Sequence, residues 1–110
     1  MANEIEQLTK EIVAFTTERD WDQFHNPKDL AIALSIEASE LMETFLWKSP
    51  EDANIGKVEE ELADVINYAL LIADKYGMDV AQIVREKMVK NAEKYPVDKA
   101  KGVATKYNEL

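Results

Sequence analysis

Two pairs of acidic residues have the spacing and the neighbours of a metal site. They are Glu37 with Glu40, and Glu61 with Asp64. The members of each pair are three residues apart, so in a helix both carboxylates lie on one face. Each pair also falls within a stripe of apolar residues, where a core residue is expected. Four ionised carboxylates in an apolar interior need compensating cations, because each loses hydration and repels its neighbours.

The ligand types decide which metal is expected. Carboxylate oxygens without Cys or clustered His favour Mg²⁺, with Mn²⁺ as a substitute, over zinc. The chain has no Cys, and its one His is His25. A di-iron bundle needs Glu-x-x-His on two helices, and an EF-hand needs alternating acids around a Gly, so neither pattern fits. The alternative is that these acids lie on an ordinary solvent-exposed face of a helix. The run Glu59-Glu60-Glu61 could belong to such a face.

The elements that must position these acids are predicted to be four amphipathic helices. Apolar spacing and capping signals place them at about residues 3–19, 27–47, 57–76 and 79–94. Short connections favour antiparallel neighbours, so the predicted fold is all-α, an antiparallel four-helix bundle. Tyr95-Pro96 stops the last helix, since Pro cannot continue it. We therefore predict a domain at residues 1–96 and a lysine-rich C-terminal tail at residues 97–110.

The charge balance excludes several classes of partner. With 22 acidic and 13 basic residues the net charge is −9, which repels nucleic acid and anionic membranes. An anionic ligand would need cations as intermediaries. The start of the chain has neither a basic segment nor a long apolar stretch, and the absence of Cys permits a reducing compartment. We therefore expect no nucleic-acid or membrane partner and a cytoplasmic location.

The acidic motifs also carry a family resemblance. Glu-x-x-Glu at 37–40 and Glu-x-x-Asp at 61–64 are similar to the signature of the MazG-type all-α nucleotide pyrophosphohydrolases. Residues 18–25, 41–47 and 94–96 most resemble the dCTP pyrophosphatase branch. The resemblance implies Mg²⁺-dependent hydrolysis of a nucleoside triphosphate, such as dCTP or a modified pyrimidine dNTP, to the monophosphate and pyrophosphate. It further implies nucleotide-pool house-cleaning, with the four acids as catalytic metal ligands.

A further set of residues is expected to bind the substrate. These are Trp21, His25, Trp47, Tyr68, Lys87, Asn91, Lys94 and Tyr95. The aromatic side chains can stack on a base or sugar, and Trp21 and Tyr68 align with substrate residues of the family. Lys87, Asn91 and Lys94 recur at successive helical turns, so they can present one polar edge to phosphates. There are alternatives to substrate binding for several of these residues. Trp47 could instead belong to the core, and the lysines could lie on a solvated face. His25 could have the purely structural role of bracing its loop.

One position departs from the family pattern. The eukaryotic dCTP enzymes carry a substrate-contacting His where we align Ile12, which leaves the preferred base open. A same-fold alternative is phosphoribosyl-ATP pyrophosphohydrolase, and a non-catalytic helical oligomerisation module is the alternative from another class.

We expect the chain to form a homo-oligomer, either a dimer or a dimer-of-dimers tetramer. The helices are apolar around much of their circumference, which would leave apolar surface exposed in a monomer, and the family resemblance implies the same.

Overall fold

The computed structural model describes residues 3–110, and this part of the chain is helical without any strand. Its α-helices are α1 (Glu4–Glu18), α2 (Pro27–Glu43), α3 (Ile55–Lys75), α4 (Val80–Lys94) and α5 (Val97–Ala100). Short 3-10 turns occupy Asp22–Phe24, Pro50–Asp52 and Tyr107–Glu109. The predicted all-α fold is therefore confirmed.

Side-chain caps explain where the four long helices begin. The N-cap residues are Asn3, Asn26, Asn54 and Asp79. Each accepts a hydrogen bond through its side chain from the backbone N–H three residues later, which satisfies one of the free donors of the first turn. The cap at Asn54 starts α3 at Ile55, two residues before the predicted start at Lys57.

The end of α2 differs from the sequence-based prediction. The prediction continued this helix to Trp47, whereas the helix ends at Glu43. From Thr44 onward the backbone N–H groups bond to carbonyls three residues back, and the Thr44 hydroxyl donates to the Leu41 carbonyl. These bonds tighten the chain into turns, and Trp47 then adopts a left-handed conformation with φ of 61°.

The first compact unit extends to Met78 and contains α1, α2 and α3. Helix α3 packs along α2 and, over a shorter length, against α1. Leu30 of α2 is 1% exposed, and Leu70 and Leu71 of α3 are also buried. The end of α2 and the start of α3 line one cavity, so the two helices run antiparallel. This helix pair forms the framework of the candidate site.

The second compact unit comprises residues Asp79–Leu110. Within it, the ring of Tyr107 lies edge-on to Tyr95, with ring centroids 6.1 Å apart, and Lys94 Nζ lies 4.8 Å from the Tyr107 centroid. These contacts fold the end of the chain back onto the end of α4. The division into a domain at 1–96 and a tail at 97–110 stays a prediction. No helix within residues 3–110 is both long and apolar enough to cross a membrane.

Candidate metal and nucleotide site

Three of the four predicted acidic ligands converge where α2 packs on α3. One carboxylate oxygen from each of Glu37, Glu61 and Asp64 lies within 4.8 Å of the other two. Glu37 comes from α2, while Glu61 and Asp64 lie one turn apart on the facing side of α3. Antiparallel packing of the two helices therefore assembles a carboxylate cluster from residues that are distant in sequence.

Two oxygens of this cluster have no hydrogen-bond donor within residues 3–110. They are the Oε2 atoms of Glu37 and Glu61, and both are buried although the two residues are only half-buried overall. Buried carboxylate oxygens in proteins normally accept a hydrogen bond or bind a cation. A set of oxygen ligands with unsatisfied acceptors fits a hard divalent cation such as Mg²⁺.

The environment of the cluster shifts the titration of both glutamates. Burial, followed by the neighbouring carboxylate of Glu40, raises the pKa of Glu37 to about 7. Burial and the Glu40 carboxylate also raise the pKa of Glu61 above its usual value of 4.5. Both shifts arise because negative charge here loses hydration and faces other negative charge. Binding of a cation would remove this penalty and favour the ionised forms.

Glu40, the fourth predicted ligand, borders the cluster. Its side chain is exposed, and its charge acts on both Glu37 and Glu61. Together with Glu61 it lines a cavity of about 440 Å³ at the junction between α2 and α3. Glu40 is thus placed to interact with the cluster and with whatever enters this cavity.

A second, smaller pocket of about 130 Å³ includes Asp64 in its lining. The pocket is lined by Ile12, Phe15, Thr16, Trp21, His25, Asp64, Asn67, Tyr68 and Leu71. Three predicted substrate residues, Trp21, His25 and Tyr68, are therefore brought together. Burial, and then the carboxylates of the cluster, raise the pKa of Tyr68 above 10, so its phenol stays protonated and can donate a hydrogen bond.

The pocket contains a residue that the sequence analysis missed. Asn67 is half-buried, lies one helical turn after Asp64, and its Nδ2 donates to Asp64 Oδ1 at 3.5 Å. Because a carboxylate only accepts hydrogen bonds, this contact orients the amide of Asn67 with its NH₂ toward Asp64. Its i+3 spacing from Asp64 on α3 was the signal that could have identified it. Ile12 lines the same pocket, so the position that departs from the dCTP enzymes faces the ligand space.

The remaining predicted substrate residues are not part of this pocket. The side chain of Trp47 is 93% exposed and lines neither the aromatic pocket nor the cavity beside Glu40. Lys87 and Asn91 line a shallow, mainly apolar groove along α4, while Lys94 and Tyr95 contact Tyr107. The roles of these five residues in substrate binding stay predictions.

An ion pair fastens the aromatic segment after α1 to the end of α3. Lys75 Nζ donates to Asp22 Oδ1, and the Lys75 side chain is largely buried. Hydrogen bonding to Lys75 and its positive charge lower the pKa of Asp22 below 3.8. Asp22 follows Trp21 directly, so the pair holds one wall of the pocket against α3.

An all-α chain with a half-buried carboxylate cluster beside an aromatic pocket has the parts needed for metal-assisted chemistry on a nucleotide-like ligand. Comparison with known proteins agrees: the profile of the MazG-like family matches residues 32–110. The chain belongs to the MazG-like family.

Individual relatives point to the same enzyme class. The chain is 37% identical to mouse dCTP pyrophosphatase 1 over 114 aligned positions and 35% identical to the human protein over 116, covering in each case 96% of this chain and 67% of the relative. A crystal structure of a pyrophosphatase from Archaeoglobus fulgidus is 37% identical, has a TM-score of 0.79, and matches 87% of this chain and 95% of that one. The predicted nucleoside triphosphate pyrophosphohydrolase class is therefore confirmed.

The shifted titration of Glu37 predicts how stability depends on pH without divalent cations. Between pH 4.5 and about 7 the folded state keeps a proton that the unfolded state has released, so raising the pH through this range lowers the free energy of unfolding. Glu37→Gln cannot ionise and should be the more stable protein at pH 8, by about 1 kcal/mol after allowance for solvent screening, and no more stable than wild type at pH 4.5. Urea unfolding at both pH values measures this difference.

Addition of millimolar Mg²⁺ should raise the melting temperature of the wild type at pH 8 and have little effect on Glu37→Gln, because the cation binds the folded cluster. Glu59→Gln, which removes an exposed acid of α3 outside the cluster, serves as the control. In the urea experiment, a stability difference between wild type and Glu37→Gln that does not vary with pH would contradict the raised pKa of Glu37.

The ion pair between Asp22 and Lys75 predicts an effect on the pocket wall. Lys75→Met should loosen the segment that carries Trp21, and the indole should become more accessible to a fluorescence quencher. The Trp47→Phe background removes the other Trp signal, and Lys10→Met is the matched control for loss of an exposed lysine. Because the pKa of Asp22 is lowered by the pair, wild type should lose the same restraint as the pH falls below the usual range of Asp. Equal quenching in Lys75→Met and Lys10→Met would show that the pair does not hold the segment.

Proposed function

We propose that the protein hydrolyses a nucleoside triphosphate to the monophosphate and pyrophosphate in a Mg²⁺-dependent reaction, with dCTP or a modified pyrimidine dNTP as the first candidates. The observation that carries this proposal is the position of Asp64, which belongs to the carboxylate cluster and also lines the aromatic pocket. A base held in the pocket would thus bring its phosphates to the acids. The printed names of the relatives, dCTP pyrophosphatase 1, support the choice of substrate class.

The pocket supplies the contacts that a nucleobase needs. Trp21 and Tyr68 offer aromatic surface, and stacking of a base on such surface contributes about 1–3 kcal/mol. Asn67 and His25 add polar groups that can read the edge of a base. Ile12 contributes an apolar side chain to the pocket, so modified pyrimidines belong in any substrate test.

The acids have distinct roles in the proposed reaction. Glu37, Glu61 and Asp64 would hold the cation, which when bound neutralises phosphate charge and lowers the pKa of a coordinated water. Glu40 borders this set of three, and its charge acts on both Glu37 and Glu61, so we assign it as the base that accepts the proton of the attacking water. The water oxygen bonds to the α-phosphorus, and the bridging oxygen between the α- and β-phosphates leaves with pyrophosphate.

The proposed biological role is nucleotide-pool house-cleaning in the cytoplasm by a homo-oligomer, either a dimer or a dimer of dimers. Support for an oligomer comes from exposed apolar pairs with helical spacing on the two site-bearing helices. On α2 these are Ile32 and Ile36, which are 50% and 54% exposed, and on α3 they are Leu62 and Ile66, at 45% and 44%. Apolar surface of this extent is typical of an interface between subunits.

Pyrophosphate release tests the proposed function. With Mg²⁺ and a panel of canonical and modified dNTPs, wild type should release pyrophosphate and no orthophosphate, fastest with a pyrimidine dNTP. Glu37→Gln and Asp64→Asn should each lower kcat at least a hundredfold, because each removes a ligand of the cluster. Chromatographic separation of the nucleotide products, with enzymatic detection of pyrophosphate, measures both.

Glu59→Gln provides the matched control, since Glu59 is an exposed acid on α3 outside the cluster and its loss should leave turnover unchanged. Phosphoribosyl-ATP in the panel tests the same-fold alternative. Turnover of no nucleotide by the wild type would refute the enzyme, and full activity of Glu37→Gln would refute the assigned site.

The oligomer prediction has a separate test. Ile36→Lys places a charge within the exposed apolar pair of α2 and should lower the mass measured by light scattering after size-exclusion chromatography. Ala31→Lys adds the same charge at an exposed position on another side of α2 and should leave the mass unchanged. A wild-type protein of monomer mass at micromolar concentration would contradict the prediction.

A further inference from the structure

The cavity at the junction of α2 and α3 has a composition that the carboxylate cluster does not explain. Besides Glu40 and Glu61 it is lined by Lys48, Lys57, Glu43, Thr44 and Asn54. Its volume of about 440 Å³ lies within the range of small-molecule sites in proteins. Two lysines lie beside the acids, and their positive charge is suited to an anionic ligand.

The lysines of the cavity are free to bind such an anion. Neither Lys48 nor Lys57 has a carboxylate oxygen within 4.0 Å among residues 3–110, although three glutamates line the same cavity. Ammonium groups that are not held by the nearby acids remain available to phosphate oxygens. A cation on Glu61 would further reduce the negative charge of the wall and favour entry of an anion.

The order of side chains along α3 indicates which kind of anion would fit the cavity. Tyr68, Asp64, Glu61 and Lys57 follow one another at spacings of four, three and four residues, so they lie on one face of the helix. From Lys57 to Tyr68 this face extends roughly 16 Å at the rise of an α-helix. The face thus presents, in order, the aromatic pocket, the acids and the lysine cavity.

A nucleoside triphosphate is a linear molecule with the same order of chemical groups: base, sugar, α-phosphate and then the β- and γ-phosphates. We propose that the cavity is the subsite for the β- and γ-phosphates and for the pyrophosphate product, with Lys48 and Lys57 as its charged ligands. This inference rests on the proposed function. It assigns the direction in which the substrate lies along α3, with the base toward Tyr68 and the terminal phosphates toward Lys57.

The two lysines would also assist the reaction itself. When the bond between the α-phosphorus and the bridging oxygen breaks, its electron pair stays on that oxygen and negative charge grows on the departing pyrophosphate. Ammonium groups beside the β- and γ-phosphates stabilise this charge as it develops. They do not contact the monophosphate product, whose base and α-phosphate lie toward the other end of α3.

Binding of inorganic pyrophosphate tests the subsite without any turnover. Titration calorimetry with pyrophosphate in the presence of Mg²⁺ should show binding to the wild type. Lys48→Met and Lys57→Met should each weaken it about tenfold, as expected for loss of one charge-assisted hydrogen bond, and the double variant should weaken it further. Binding of dCMP should stay within twofold of wild type in all three variants. Lys10→Met, which removes an exposed lysine of α1, is the matched control.

A second variant separates charge from stability. The Lys48→Arg, Lys57→Arg double variant keeps both positive charges and should bind pyrophosphate within a few-fold of the wild type. Unchanged pyrophosphate binding in the Met double variant, or no binding by the wild type, would overturn the subsite. Failure of the proposed function gives a different result, namely lysine-dependent binding of pyrophosphate with no hydrolysis of any nucleotide.

Discussion

The packing of α2 against α3 places like charges together, and the rest of the site depends on this contact. Burial of apolar side chains such as Leu30 of α2 and Leu71 of α3 stabilises the fold, yet the packing of α2 on α3 brings the carboxylates of Glu37, Glu61 and Asp64 within 4.8 Å of one another. Their mutual repulsion and loss of hydration oppose folding. The fold therefore contains a local penalty that binding of a divalent cation would relieve, and such binding would couple the stability of the helix pair to the ligand.

The acids of the cluster serve the proposed chemistry at the expense of stability. Apolar residues at positions 37 and 61 would continue the stripes of α2 and α3 and avoid the raised pKa values. Groups whose pKa is shifted by burial and by neighbouring charge occur preferentially at functional sites, and the match to the MazG-like family agrees with that interpretation. One buried oxygen of each glutamate has no hydrogen-bond partner. These two oxygens destabilise the fold, and they are also the atoms that would bind a cation in the proposed reaction.

Helix α3 organises the ligand space because it contributes to every part of it. Tyr68 and Asn67 line the aromatic pocket, Asp64 and Glu61 supply the cluster, and Lys57 lines the larger cavity. An α-helix holds these side chains at spacings set by its rise and pitch, so they depend little on loop conformation. The segment with Trp21 is not part of a long helix, and its attachment to α3 through Asp22 and Lys75 compensates for that.

Local periodicity was sufficient to predict the helices and the acids within apolar stripes, because spacing along one helix determines which side chains share a face. The family resemblance, and not periodicity, indicated the aromatic residues 21 and 68. It did not predict the end of α2, where side-chain bonding by Thr44 competes with the helix, and it overlooked Asn67, Lys48 and Lys57. Only the tertiary structure decided that Glu40 borders the cluster, that Ile12 faces the pocket and that Trp47 lies apart from it. These features depend on contacts between segments distant in sequence, and periodicity within a single helix carries no information about such contacts.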